Sequence, residues 1–158
     1  FYNRVMDFAL EFHVGKHGVA YNGISVFATS STGAYTGNYV SDEPCLKRRI
    51  PEALQGHLSD VCKNLQRHLQ NVYSQGYSGP LGVDMMVVEY QGEKYIHPCV
   101  EVNLRQTMGN VCVSLRSQLR RGAAIYRLRP VGETTESTLV LTPYAKRIEA
   151  VLQTEEAE

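Results

Sequence analysis

The stretch that most constrains this chain is residues 81–109, LGVDMMVVEYQGEKYIHPCVEVNLRQTMG, which reads as two strands joined by a tight turn and running into a helix. Residues 83–90 and 94–103 are rich in Val, Ile, Met and Tyr, and Gly92-Glu93 between them offers a glycine at the first central position of a type II′ turn. With Gln91 facing Lys94, Asp84 falls directly opposite Glu101 on one face of the ribbon. Opposed carboxylates repel, by up to about 1 kcal/mol when solvated and by more when buried, so a cation belongs between them. Asn103 is two residues beyond Glu101, shares its face and adds a carbonyl oxygen. An all-oxygen set of Asp84, Glu101 and Asn103 suits a hard ion such as Mg²⁺, which takes few carboxylates and is completed by phosphate and water. Arg105 continues the alternation, and a fixed cation there suits a phosphate or the charge that develops in phosphoryl transfer.

The pairing of GVDMMVV, carrying Asp84, with VEVNLRQTMGN, carrying Glu101, Asn103 and Arg105, resembles the ATP-grasp ligases. That family ends its nucleotide-binding fold with a strand bearing an acidic residue and an antiparallel strand bearing Glu-x-Asn, often extended to Glu-x-Asn-x-Arg. The resemblance covers residues 76–122 well and the remainder loosely. It implies that Asp84, Glu101 and Asn103 hold Mg²⁺, or Mn²⁺ in its place, against the phosphates of ATP. It further implies that Arg105 assists at the transferred phosphoryl group. Gly109 would present backbone amides to the acceptor carboxylate or acyl phosphate, so Asn103, Arg105 and Gly109 form the ligand-binding set. One departure stands out: some members carry Arg two residues before the strand's acidic residue, where this chain has Gly82, leaving Arg105 to serve alone. Without the resemblance, the same residues make a polar face holding an Asp84–Arg105 ion pair.

Charge is balanced, with 16 basic and 16 acidic residues, and no broad basic stripe appears, which argues against nucleic acid as a partner. Arg116, Arg120 and Arg121, and Lys47, Arg48 and Arg49, read as solvated faces or helix ends. No apolar run approaches the roughly 20 residues of a membrane span. Cys45, Cys62, Cys99 and Cys112 are widely spaced, with no metal-ligand pattern, and read as reduced cytoplasmic thiols.

Residues 5–12, VMDFALEF, alternate as a half-buried strand, with Met6, Phe8, Leu10 and Phe12 inward and Asp7 and Glu11 outward. Two solvated carboxylates are the simplest account of the latter, against contact with a ribose or a substrate amine. Residues 19–29 form a second strand paired with the first, and Gly23 weakens or bulges it. The polar SSTGAYTGNYVSDE that follows, residues 30–43, reads as a mobile loop, either an ordinary surface loop or, as the resemblance implies, a substrate-side loop with Tyr35 and Asn38 as candidate contacts. It has neither a P-loop nor a dinucleotide fingerprint.

Pro51 opens the longest helix, to about Ser74, with Leu54, Leu58, Val61, Cys62, Leu65, Leu69 and Val72 as its apolar stripe. His57 and His68 lie on it roughly 16 Å apart, too far to share a metal. His97 is in phase with Glu101 and reads as a histidine satisfied by polar neighbours. A helix from about Asn110 to Arg121 ends at Gly122, short strands follow at 123–131 and 138–141, and Thr142-Pro143 begins a final helix to about Leu152.

These elements predict one α+β domain over residues 1–158, a mostly antiparallel sheet with helices on one face, forming the C-terminal half of an ATP-grasp fold. The start at Phe1, without Met, leads to the expectation of a piece cut from a longer polypeptide. The function implied is that of an ATP- and Mg²⁺-dependent cytoplasmic ligase, an oligomer of identical chains being compatible with it. It would activate a small carboxylate as an acyl phosphate for attack by an amine or other nucleophile. The nucleotide-gripping lysines, glycine-rich loop and adenine-binding hinge would lie upstream, so this chain alone is expected to be a poor enzyme or none. The alternative is a non-catalytic nucleotide-binding or interaction module on a degenerate ATP-grasp scaffold.

Overall fold

A computed structural model describes the backbone of residues 2–73, 76–119, 123–130, 138–141 and 148–154, with side chains as far as Arg127. The elements run β1 (Asn3–Gly15), β2 (Gly18–Thr29), β3 (Tyr35–Val40), α1 (Glu43–Arg48), α2 (Glu52–Tyr73), β4 (Gly79–Tyr90), β5 (Glu93–Asn103), α3 (Met108–Leu115), β6 (Ala124–Pro130), β7 (Thr138–Leu141) and β8 (Ile148–Thr154). The strands make one sheet in the order β5-β4-β1-β2-β3-β6-β8-β7, antiparallel at every described ladder. This is the α+β architecture that the sequence predicts.

Alternation along β1 decides what each face does. Phe8, Leu10, Phe12 and Val14 point to one side, where they join Ile24 and Val26 of β2 and Leu81, Val83, Met85 and Val87 of β4. Leu46 and Ile50, together with Leu54, Leu58 and Leu69 of α2, close that core. Each fully buried Leu or Ile contributes about 1.5–3 kcal/mol. Helix α2 is also clasped to β2 by polar contacts: Gln66 Nε2 donates to the carbonyl of Val19 at 2.6 Å, and Gln70 Oε1 accepts from its amide at 2.7 Å. Val72, placed on the stripe by its spacing, is exposed instead.

The other side of the sheet holds a smaller cluster, in which Val40, Ala124, Tyr126 and Cys112 pack with Met108, Val111 and Leu115. Helix α3 therefore covers the face opposite α2, so the helices lie on both faces and not on one. Two further expectations change. Residues 30–43 are not simply a loop: β3 runs through them between β2 and β6, and α1 starts at Glu43 with Asp42 accepting from the Cys45 amide at 2.7 Å. Gly37, which suggests a loop by composition, is where β6 comes close, since a Cβ there would meet the Tyr126 carbonyl at 2.7 Å. Residues 148–154, expected as helix as far as about Leu152, form β8, paired with β6 and β7; the expected start of that helix at Thr142-Pro143 lies outside the described residues, as do Arg120, Arg121 and Gly122. Helix α3 ends at Leu115 and continues as one 3-10 turn, Arg116–Gln118.

The central hairpin reaches the expected pairing by another route. Its turn is Gln91-Gly92, both with positive φ (54° and 81°), rather than Gly92-Glu93, so Tyr90 faces Glu93 and Met86 faces His97. Between that segment and Asp84↔Glu101 the register shifts, with Met85 on β4 set against Pro98, Cys99 and Val100 on β5. Pro98 has no N–H to give to a ladder, which suits it to a bulge. A shift of two residues preserves the face, so Asp84 still meets Glu101.

Candidate active site

Asp84 lies between Val83 and Met85, both turned into the core, and so projects from the opposite face of β4. Its cross-strand neighbour Glu101 is exposed, whereas Asn103 is buried. Asn103 Nδ2 donates to Asp84 Oδ2 at 3.1 Å, and Arg105 Nη2 donates to Asn103 Oδ1 at 2.8 Å. Arg105 thus reaches Asp84 through the Asn103 amide, not as a direct ion pair. Burial first, and the charge of Glu101 second, hold the Asp84 carboxyl above the usual carboxylate range. Among the described residues no Lys, Arg or His side chain forms an ion pair with Asp84 or Glu101. The positive charge that acts on Asp84 is that of Arg105, which favours its ionised form without pairing with it directly. Nor, among the described residues, do three His, Cys, Asp or Glu side chains gather into a ready-made metal cage. The oxygen donors are the carboxylates of Asp84 and Glu101, with Asn103 Oδ1 keeping one lone pair beside the bond it accepts from Arg105, a set that suits an ion bringing phosphate and water oxygens with it.

Beside this pair lies the residue that sequence reasoning misplaced. Glu11, expected to be solvated, is 1 % exposed. Ser25 Oγ donates to its Oε1 at 2.8 Å, and Thr107 Oγ1 and Asn110 Nδ2 donate to its Oε2 at 2.8 and 2.7 Å. Thr107 also caps α3 by accepting from the Asn110 amide at 2.9 Å, so the same hydroxyl ends the helix and holds the carboxyl. Burial pushes Glu11 up to about 7; the Thr107 and Ser25 bonds oppose this, Asp84 adds to it and Arg105 subtracts. Two glycines make room: a Cβ on Gly109 would collide with Glu11 Oε1 and Ser25 Oγ, and one on Gly82 would lie 2.7 Å from Glu11 Oε2 and 2.8 Å from Thr107. The absence of Arg at position 82 thus has a steric cause, because Glu11 and Thr107 fill that space.

The bulge that Gly23 foretells lies next to Glu11, where Glu11 pairs with Gly23 but Phe12 with Tyr21. It leaves Asn22 to donate to Asn110 Oδ1 at 3.3 Å. Arg116, expected on a solvated face, packs its guanidinium against Gly23, donates to the Ile24 carbonyl and lies 3.8 Å from Glu43. Lys47 and Arg48 do occupy the last turn of α1, as a helix end should.

Glu11, Asp84, Asn103, Arg105 and Gly109 all line one cavity of about 330 Å³. Tyr35 and Asn38, the candidate contacts from the 30–43 stretch, line it as well, joined by a 2.6 Å bond from the Tyr35 hydroxyl to Asn38 Oδ1. Glu101, which is exposed, is not among the residues that line this cavity. His97 is not in the cavity wall, and its Nδ1 is buried without a hydrogen-bond partner, contrary to a satisfied histidine. A larger cleft of about 1010 Å³ near Arg4, Arg48, Arg49 and Lys94 holds none of the motif residues. The four cysteines are unpaired, and among the described residues no helix is long and apolar enough to cross a membrane. What could have exposed Glu11 from the sequence is adjacency of β1 and β4, which sets Ala9 against Asp84 and Glu11 against Gly82.

No model of a protein family and no curated protein matches the chain. Solved structures do match. A protein of Archaeoglobus fulgidus assigned to the ATP-grasp superfamily aligns at 16% identity with a TM-score of 0.54, over 96% of this chain and 46% of that one. N5-carboxyaminoimidazole ribonucleotide synthetase from Thermus thermophilus aligns at 14% and 0.53, over 97% and 47%. The biotin carboxylase domain of 2-oxoglutarate carboxylase from Hydrogenobacter thermophilus, a dimer in complex with MgADP, ADP and bicarbonate, aligns at 12% and 0.51, over 93% and 40%. The chain spans less than half the length of each of these structures. Its fold is that of ATP-grasp proteins.

Proposed function

From this fold and this constellation we propose that the protein carrying the chain is an ATP- and Mg²⁺-dependent ligase that activates a carboxylate as an acyl phosphate for an amine or another nucleophile. The observation that carries the reading is Asp84 facing Glu101 with Asn103 behind them, beside a cavity that Arg105 and Gly109 also line. Asp84, Glu101 and Asn103 would hold Mg²⁺, or Mn²⁺ in its place, and the bound ion supplies charge neutralisation at the β- and γ-phosphate oxygens. The two carboxylates fit this role because they repel each other and, among the described residues, are in no ion pair.

The chain's own groups do the rest. Asn103 aims Arg105 by accepting its N–H at 2.8 Å, so the guanidinium meets the transferred phosphoryl group with its orientation already fixed. Gly109 lines the cavity in the first turn of α3, whose helix end favours an acceptor carboxylate or an acyl phosphate. On this reading the nucleotide-gripping lysines would be supplied by an upstream part of the same polypeptide, and this chain by itself is expected to be a poor catalyst.

The second reading, a nucleotide-binding module without turnover, draws on Gly82 standing where some ATP-grasp members carry Arg. Incubating the intact protein with MgATP, hydroxylamine and a panel of carboxylic acids separates the two. A ligase gives ADP and a hydroxamate with at least one acid, and Arg105→Ala lowers that rate about 10²–10³-fold. A module binds nucleotide and gives neither product.

A further inference from the structure

The proposed chemistry leaves one carboxylate of the cavity without a task. Glu11 is 1 % exposed, and its three hydrogen bonds all come from neutral donors, Ser25, Thr107 and Asn110. Among the described residues no Lys, Arg or His forms an ion pair with it. A carboxylate offers about four acceptor positions, and Oε1 receives one donor against two on Oε2. One position on Oε1 therefore receives no hydrogen bond, and Glu11 is part of the cavity wall.

The rest of the wall indicates what belongs there. Phe27 and Tyr35 line the same cavity, their rings 6.4 Å apart, and Ala9 adds only a methyl group to its wall. Asp7, the other outward carboxylate of β1, is already engaged by the Thr29 hydroxyl at 2.7 Å and by Arg4 at 3.6 Å. A buried carboxylate that no cation pairs with directly is costly, and a cationic ligand with an apolar body relieves that cost. Ala9, the cross-strand partner of Asp84, is two residues from Glu11 on the same face, so such a ligand would sit beside the motif.

We propose that Glu11 receives the ammonium group of the attacking nucleophile, which makes the acceptor a primary amine with a small apolar or aromatic body. This assignment rests on the ligase reading for the word acceptor, while the ammonium preference itself does not.

The test is calorimetry on the intact protein with benzylammonium chloride and, as its neutral counterpart, benzyl alcohol, with MgATP titrated separately into the wild type. The expected result is benzylammonium binding at least tenfold more tightly than benzyl alcohol, a preference that Glu11→Gln removes. Equal affinities in the wild type, or a preference that survives Glu11→Gln, would overturn the proposal. Should Glu11→Gln lose its near-ultraviolet circular dichroism, Ser25→Ala decides. That variant keeps the carboxylate and frees Oε1, so a retained preference supports the assignment and a lost one shows a merely structural tie. Absence of MgATP binding would remove the ligase reading and leave the ammonium comparison intact.

Discussion

Glu11 and Gly109 occupy one space between them: the carboxyl of the former fills the volume that a Cβ on the latter would need. Gly109 lies in the first turn of α3, where alanine would ordinarily stabilise a helix by up to about 1 kcal/mol. Here the sign reverses. Gly109→Ala should destabilise the protein by about 1–3 kcal/mol in urea unfolding, as overpacking does, and combining it with Glu11→Ala should recover most of that loss. Additive effects would show that the two residues do not share the space.

The Glu11 carboxyl also predicts a pH dependence. Its folded value, about 7, lies above the ordinary 4.5, so the folded state holds this proton more tightly than the unfolded one. The contribution is fully present below about pH 4.5 and is lost as pH rises through 7. For a group this buried the loss is on the order of 3 kcal/mol. The facing groups are Ser25 on β2, Asp84 on β4, Arg105 after β5, and Thr107 and Asn110 at α3. Glu11→Gln should flatten the difference in unfolding free energy between pH 5 and pH 8 relative to wild type. An unchanged slope would mean that another group carries it.

Opposed carboxylates should weaken the protein in the absence of metal. Asp84→Asn removes the repulsion and should raise thermal stability in chelator by an amount worth a few tenths to about 1 kcal/mol. Added Mg²⁺ should raise the melting temperature of the wild type, since a ligand that binds the folded state stabilises it, and should leave the variant unmoved. A melting temperature that falls in the variant under chelator would favour a structural ion-pair cluster.

The β5 bulge offers a test of register. Deleting Val100 alone should turn Glu101, Asn103 and Arg105 to the opposite face and abolish the Mg²⁺-dependent shift in melting temperature. Deleting Cys99 and Val100 together leaves Pro98 alone against Met85 and should preserve the pairing and the shift. Survival of the shift after the single deletion would contradict the register.

Much of this was legible in the residues, for reasons that differ from place to place. The Asp84–Glu101 pairing follows from local alternation, and it held although the turn sits at Gln91-Gly92, because the Pro98 bulge shifts the strand by two and two is the side-chain period. Strand β3 was hidden because Gly37 serves close approach to β6, a partner far along the chain, and β8 because its pairing with β6 and β7 outweighs local helical preference. Glu11 shows the limit most plainly. Its alternation correctly sets it away from the α2 core, but that face is buried by α3, which arrives ninety-odd residues later with Thr107 and Asn110. Outward from one core meant inward to another.

The central claim, that Asp84 and Glu101 build a Mg²⁺-nucleotide site, is tested most directly by calorimetric titration of MgATP into the intact protein and its Asp84→Asn, Glu101→Gln double variant. The account predicts saturable, Mg²⁺-dependent binding by the wild type and none by the folded double variant. Binding of equal strength to both, or no binding by the folded wild type, would contradict it.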